Sequence, residues 1–265
     1  MSLLPPLPAI LLPYQDRILA TQQQTIRLHP QTTAFVHAWQ SKLGGTPYLA
    51  LGAPYPKNDQ GRPLFFLAQI NCAELPKLAS FPTHGIIQFF ILDDELYGLD
   101  FEAPTKANNF RVLYYPEVLA NVAQLTTDFS FLPLFDEGIP LNNPSASRAL
   151  QFTLEDEFLG PPDFHFDQVF DEVFLDGLGN DKDEAFDFFY DLGSKAAGSK
   201  MGGYAFFTQE DPRPLGADYL LLLQLDSDSD LGMVWGDMGI ANFFIPADDL
   251  AAMRFDRVWY NWDCS

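Results

Sequence analysis

Four short blocks recur in the same order in the two halves of the chain, and a chain built twice from one unit has few ways to fold. Ser41-Lys42-Leu43-Gly44-Gly45 returns 158 residues later as Ser199-Lys200-Met201-Gly202-Gly203. Pro63–Ile70 lies opposite Asp218–Leu225, with Gln69 and Gln224 155 apart. Gly85–Ile91 lies opposite Gly239–Ile245 at an offset of 154, and Arg111–Tyr114 resembles Arg257–Tyr260 at 146. Small insertions account for the drift. The blocks predict two related β-rich halves, residues 30–118 and 195–263, inside a single compact domain spanning 1–265.

The blocks that hold Gln69 and Gln224 are short runs of leucine, isoleucine and phenylalanine, long enough for strands buried on both faces. A glutamine inside such a strand must satisfy its amide, and a neighbouring turn is the nearest source of partners. Gly44-Gly45 and Gly202-Gly203 suit turns with positive φ or close backbone approach. They are not phosphate loops, since neither a Lys-Ser/Thr ending nor a Gly-x-Gly-x-x-Gly pattern accompanies them.

Between the halves the composition changes. Residues 151–191 hold 13 of the 36 acidic residues, one lysine and 9 of the 25 phenylalanines. Phe166, Val169, Phe170, Val173 and Phe174 follow the spacing of an amphipathic helix, and a second helix is expected over Asp183–Leu192 with Gly193 as its C-cap. An acidic helical insert, 151–192, is the expectation. Further short helices are expected near Tyr14–Ile26 and Glu117–Ala123. The fold class is therefore α+β: mainly antiparallel sheets from an internal duplication, with this insert between the halves.

Lys+Arg total 15 against Asp+Glu 36, a formal net charge of −21. That balance argues against nucleic acid and anionic lipid as partners, because both need a basic face. No apolar run reaches the ~18 residues of a membrane-spanning helix. The N-terminal segment has no basic leader and is broken by prolines, which argues against a secretory signal. Cys72 and Cys264 fit neither a disulfide framework nor a metal knuckle, so a reducing cytoplasm is expected.

Asp226-Ser227-Asp228-Ser229-Asp230 with Asp237 places acids at positions 1, 3, 5 and 12, echoing a calcium loop. Leu231 stands where that loop turns on glycine, and Asp237 is shorter than the usual glutamate. Asp226, Asp228, Asp230 and Asp237 are thus candidate Ca2+ ligands, with a solvated acidic turn as the plainer alternative and no cofactor otherwise expected. Lys42 and Lys200, at equivalent positions, are the local cations. Together with Gln69, Gln224 and Trp235 they form a candidate pocket; pairing of the lysines with nearby acids is the alternative. His29, His37, His84 and His165 share no ligand spacing, and no Gly-x-Ser-x-Gly elbow occurs.

At these blocks the sequence resembles the YwqG-like proteins, a bacterial family of unknown function. The resemblance rests on Ser41–Pro47, Leu67–Asn71, Lys200–Tyr204, Leu223–Asp228 and Trp235–Gly239, and on Asn242–Ile245 and Tyr260–Cys264. It covers roughly residues 30–264, with Ala50 where proline is expected. It implies a mixed α and β domain of mainly antiparallel sheet, with no catalytic residues or cofactor, and by analogy an immunity-type role. Two functions are weighed. A non-catalytic interaction module for a basic protein partner suits the acidic surface and ranks first. The alternative is a small-molecule or metal-dependent enzyme with its pocket between the halves.

Overall fold

The repeated apolar blocks become the central strands. The computed structural model describes residues 4–31, 37–136, 138–214, 216 and 218–265. Residues 32–36 of the first repeat and 1–3 of the N-terminal segment lie outside the described residues. In chain order the strands are β1 (Gln23–Pro30), β2 (Lys42–Leu43), β3 (Phe65–Asn71), β4 (Ile86–Ile91) and β5 (Phe110–Tyr115). They continue as β6 (Arg148–Glu157), β7 (Lys200–Gly202), β8 (Tyr219–Asp226), β9 (Ile240–Pro246) and β10 (Trp259–Asp263). Every residue of β3 and β4 is buried, as an apolar run with no polar face requires.

All ten make one antiparallel sheet in the order β10-β9-β8-β7-β1-β6-β2-β3-β4-β5. That order is a palindrome about the central β1–β6 pair, which zips from Gln23↔Glu157 to Pro30↔Leu150. β1, which precedes the first Gly-Gly block, pairs with β7 through Ile26↔Met201 and Arg27↔Lys200. β6, which precedes the second, pairs with β2 through Lys42↔Ala149 and Leu43↔Arg148. Each opening strand thus lies in the opposite half's sheet. A bulge interrupts β3 between Phe66 and Ala68 and β8 between Leu221 and Leu223, at matching positions of the two blocks. Each bulge increases the local twist.

The twisted sheet curls until its ends meet. Phe89 of β4 meets Phe243 of β9 edge to face with ring centroids 5.0 Å apart, and Phe110 of β5 lies 5.4 Å from Tyr260 of β10. Such pairs add about 0.5–1.5 kcal/mol each beyond the area they bury. The Tyr260 amide then donates to the Pro104 carbonyl at 3.0 Å, tying the last strand to the far edge.

Among the described residues five helices accompany the sheet: α1 (Gln15–Leu19), α2 (His165–Val169), α3 (Glu172–Gly177), α4 (Lys182–Ser194) and α5 (Ala247–Ala251). Several expectations need correction. The acidic segment does not start as helix, because residues 151–157 belong to β6 and are paired along their length with β1. The helix expected through Phe166–Phe174 breaks after Phe170. There the Asp171 carboxylate accepts the Phe174 amide at 2.8 Å and caps a new helix. Val173 consequently faces solvent, 80% exposed, while Phe166, Phe170 and Phe189 keep to the core.

Gly193 lies inside α4 and is no cap. A Cβ on Gly160 would stand 2.2 Å from the Gly193 Cα, so the pair is needed for close approach. The helix expected near Tyr14–Ile26 stops at Leu19, and Ile26 belongs to β1; Val122–Gln124 forms only a 3-10 turn. In the last block, Val112 pairs with Phe89 and Tyr260 with the equivalent Phe243. Arg111–Tyr114 therefore matches two residues later than Arg257–Tyr260. A two-residue slip leaves every side chain on its own face, so apolar alternation cannot detect it. Among the described residues no helix is long and apolar enough to cross a membrane.

Candidate functional site

A glutamine placed in a fully buried strand has to find three partners, and both halves supply them the same way. In β3, Gln69 Oε1 accepts the Tyr48 amide at 2.8 Å, and its Nε2 donates to the Ala38 and Gln40 carbonyls at 2.9 and 2.8 Å. In β8, Gln224 Oε1 accepts the Phe206 amide at 2.9 Å, and its Nε2 donates to the Ala196 and Gly198 carbonyls, both at 2.8 Å. Each amide ties the chain entering the Gly-Gly strand to the chain leaving it. On the next strands, Gln88 donates to the Tyr48 carbonyl at 2.7 Å and Asn242 to the Phe206 carbonyl at 3.0 Å. These two amides were not among the predicted site residues, although they align within the third repeated block.

The structure sets Lys42 opposite Gln69 and Lys200 opposite Gln224, in two separate pairs. Trp235 is fully buried elsewhere in the core. The five predicted pocket residues are therefore buried and are not gathered in one cleft. The two lysines differ in their partners. Lys200 Nζ lies 2.8 Å from both oxygens of Glu157, which also accepts the Tyr204 amide and sits 3.5 Å from Arg27. A Cβ on Gly203, whose φ is +69, would stand 1.9 Å from Glu157 Oε1, so only glycine admits this carboxylate. At the matching Gly45 the space is taken by Ser147 Oγ. Lys42, 2% exposed, donates to the Ala38 carbonyl at 3.1 Å and pairs with no carboxylate among the described residues. Burial alone pushes its ammonium down to about 8.

A second buried network joins Asp163 and His165 to Asp211 and Arg213. Asp163 accepts from Arg213 Nη2 at 2.8 Å, from the His165 amide at 3.0 Å and from His165 Nδ1 at 2.5 Å. Arg213 also binds Asp211 and lies over the rings of Phe164 and Phe244 at 4.7 and 4.6 Å. Burial opposes the Asp163 charge, but His165 and Arg213 overcome it and hold the carboxyl at about 2, against 3.8 ordinarily. Its stabilising contribution is complete above about pH 4 and is lost as pH falls through 2. Urea titrations between pH 5 and 2 should show a loss of about 2 kcal/mol from this group. Asp163→Asn should be less stable at neutral pH and should flatten that fall; an unchanged acid profile would remove Asp163 from the account.

The predicted calcium loop is held as a turn. Asp228 Oδ1 accepts the amides of Asp230 and Leu231 at 2.9 and 3.1 Å, and Asp226 Oδ2 accepts the Gly198 amide at 2.7 Å. Asp230 and Asp237 are exposed. Among the described residues no group of three or more His, Cys, Asp or Glu side chains is placed to hold a metal ion, so these four are not brought together.

What remains open is surface. Nine carboxylates between Asp167 and Asp191 on α2–α4 and their connections are exposed. Lys182, the lysine among them, donates to Asp176 at 2.6 Å. Asp183, Asp187 and Asp191 fall on successive turns of α4, with the exposed rings of Phe186 and Tyr190 along their flank. Two clefts also open at matching places, each beside a Gly-Gly turn and the start of the bulged strand. One, about 200 Å3, includes Gly45, Phe65 and Phe66; the other, about 230 Å3, includes Gly203, Leu220 and Leu221.

A curled antiparallel sheet, paired glutamine clamps and buried ion pairs define a β-rich domain. The chain matches the family described as Domain of unknown function (DUF1963) over residues 41–264, and it belongs to that family. No curated protein matches it.

Proposed function

We propose that this chain is a non-catalytic binding module for a basic protein partner, built from two copies of one unit that exchanged their opening strands. The observation that carries the binding reading is the partition of charge. Glu157, Lys200, Asp163 and Arg213 spend their charges on one another inside the fold. The exposed carboxylates of α2–α4 have almost no cations among them, and the Asp183–Asp187–Asp191 row has apolar rings alongside. Such a face attracts a basic surface over long range and offers it apolar contact on arrival. The duplication is supported by the palindromic strand order, the matching bulges and the matching glutamine clamps.

The YwqG-like resemblance and an immunity-type role are the specific form of this reading. A reducing cytoplasm suits the unpaired thiols of Cys72 and Cys264. The enzyme alternative is weakened by Lys42, Gln69, Lys200 and Gln224 all being turned to internal partners. Immobilised protein is expected to retain basic proteins from a lysate at low salt and release them at high salt. Neutralising the row with Asp183→Asn, Asp187→Asn and Asp191→Asn together should reduce that capture several-fold. Capture of nothing at low salt, or equal capture by the neutralised protein, overturns the proposal.

A further inference from the structure

The cleft beside Gly45 has an edge that its counterpart lacks. Phe129 and residues 132–135 line it, with Leu134 83% exposed, while Phe129 and Phe135 turn inward against Tyr55 and Phe65 at 6.4 and 5.3 Å; Phe131, 55% exposed, packs beside them on Tyr55 at 5.8 Å. Tyr55 spends its hydroxyl on the Leu64 carbonyl at 2.8 Å and so presents only its ring. The exposed carboxylates of Asp128 and Asp136 stand at the two ends of this apolar run. At about 200 Å3 the cleft is below the ~300–1,000 Å3 of small-molecule pockets and suits a single bulky side chain. A second copy of this chain is a poor occupant, because each copy carries a net charge of −21.

We propose that this cleft is an anchor pocket for a basic polypeptide, taking one bulky apolar residue of the partner while Asp128 and Asp136 engage flanking lysines or arginines. The inference rests on the binding reading above and adds where the apolar anchor is seated. Aromatic-lined pockets within a polar rim are where binding energy concentrates.

The test uses the full-length protein and a labelled peptide of lysines flanking a Trp-Leu pair, followed by fluorescence anisotropy. Controls replace Trp-Leu by Ser-Ser, or the lysines by glutamates. Leu134 is 83% exposed, so Leu134→Ser should leave the urea midpoint unchanged, whereas Phe131→Ser gives up ring contacts with Tyr55 and Phe129 and should lower it slightly; both should weaken peptide binding, Leu134→Ser at least tenfold. Asp128→Asn with Asp136→Asn should weaken it and flatten its salt dependence. Full-strength binding by the Ser variants overturns the anchor pocket. If binding is then lost only in the neutralised α4 protein, the basic-partner reading stands without the cleft. Equal binding of the glutamate peptide overturns both.

Discussion

Lys200→Met is expected to destabilise the protein by about 3–5 kcal/mol, while Lys42→Met is expected to be neutral or stabilising. The two lysines occupy matching positions and are equally hidden, yet their surroundings reverse the sign. Lys200 holds both oxygens of Glu157 at 2.8 Å, so its removal strands a buried carboxylate. Among the described residues Lys42 has only the Ala38 carbonyl and no carboxylate, so its ammonium is carried into the core without a countercharge there. Equilibrium urea unfolding of the two variants at neutral pH measures the contrast directly.

The pH dependence of Lys42 gives an independent check. Its folded pKa of about 8 lies below the ordinary 10.5, so below pH 8 the folded state bears the cost of a buried charge. Between pH 8 and 10 the folded protein has released this proton and the unfolded chain still holds it, so stability rises with pH. The rise from this group should be about 2–3 kcal/mol, and Lys42→Met should lack it. Above pH 10 buried tyrosines such as Tyr55 and Tyr260, whose pKa values are raised by burial, ionise more readily in the unfolded chain and reverse the trend. Equal losses at both lysines, or parallel pH profiles for the Lys42 variant and the parent, would refute this assignment.

Gln69→Leu and Gln224→Leu should each cost about 3 kcal/mol or more, and by similar amounts. Gln224→Leu leaves the Phe206 amide and the Ala196 and Gly198 carbonyls without its amide, and Gln69→Leu leaves the Tyr48 amide and the Gln40 carbonyl, while Lys42 still donates to Ala38; each orphaned group costs about 1–3 kcal/mol where the chain cannot relax. Ordinary apolar logic predicts the opposite, since leucine in a fully apolar strand looks like an improvement. Denaturation midpoints decide between the two. A loss below about 1 kcal/mol at either site would mean that its clamp is dispensable and that the halves are not held alike.

Much of the β framework was legible because its strands are apolar on both faces and bounded by glycine. Gly44-Gly45 and Gly202-Gly203 all adopt positive φ, as their positions in tight turns suggested. The glutamine clamps were legible as a requirement, although not their partners. The pairing of β1 with β7 and of β6 with β2 was not, because β1 and β6 share no repeated motif and β6 lies in a stretch whose acids suggested helix. Glu157 escaped notice for the same reason: nothing local distinguishes it from Glu155, and only the fold brings Lys200 to it. The Asp163–Arg213 pair is separated by 50 residues of sequence. Its pairing depends on the loop after β7, which no periodic pattern describes. In the insert, Asp171 competed for backbone amides as a cap and overrode the phenylalanine spacing.

The pairing of β1 with β7 and of β6 with β2 has a consequence during synthesis. Arg27 is made well before its strand neighbours Thr153 and Lys200. β2 to β5 are complete before β6 is made, so the edge of β2 that β6 covers stays unpaired until Arg148–Glu157 follows. Pairings so distant along the sequence slow folding and leave sheet edges open meanwhile. Truncated or stalled chains should therefore be the aggregation-prone species of this protein, each with an unclaimed edge ready to accept the missing strand from another chain.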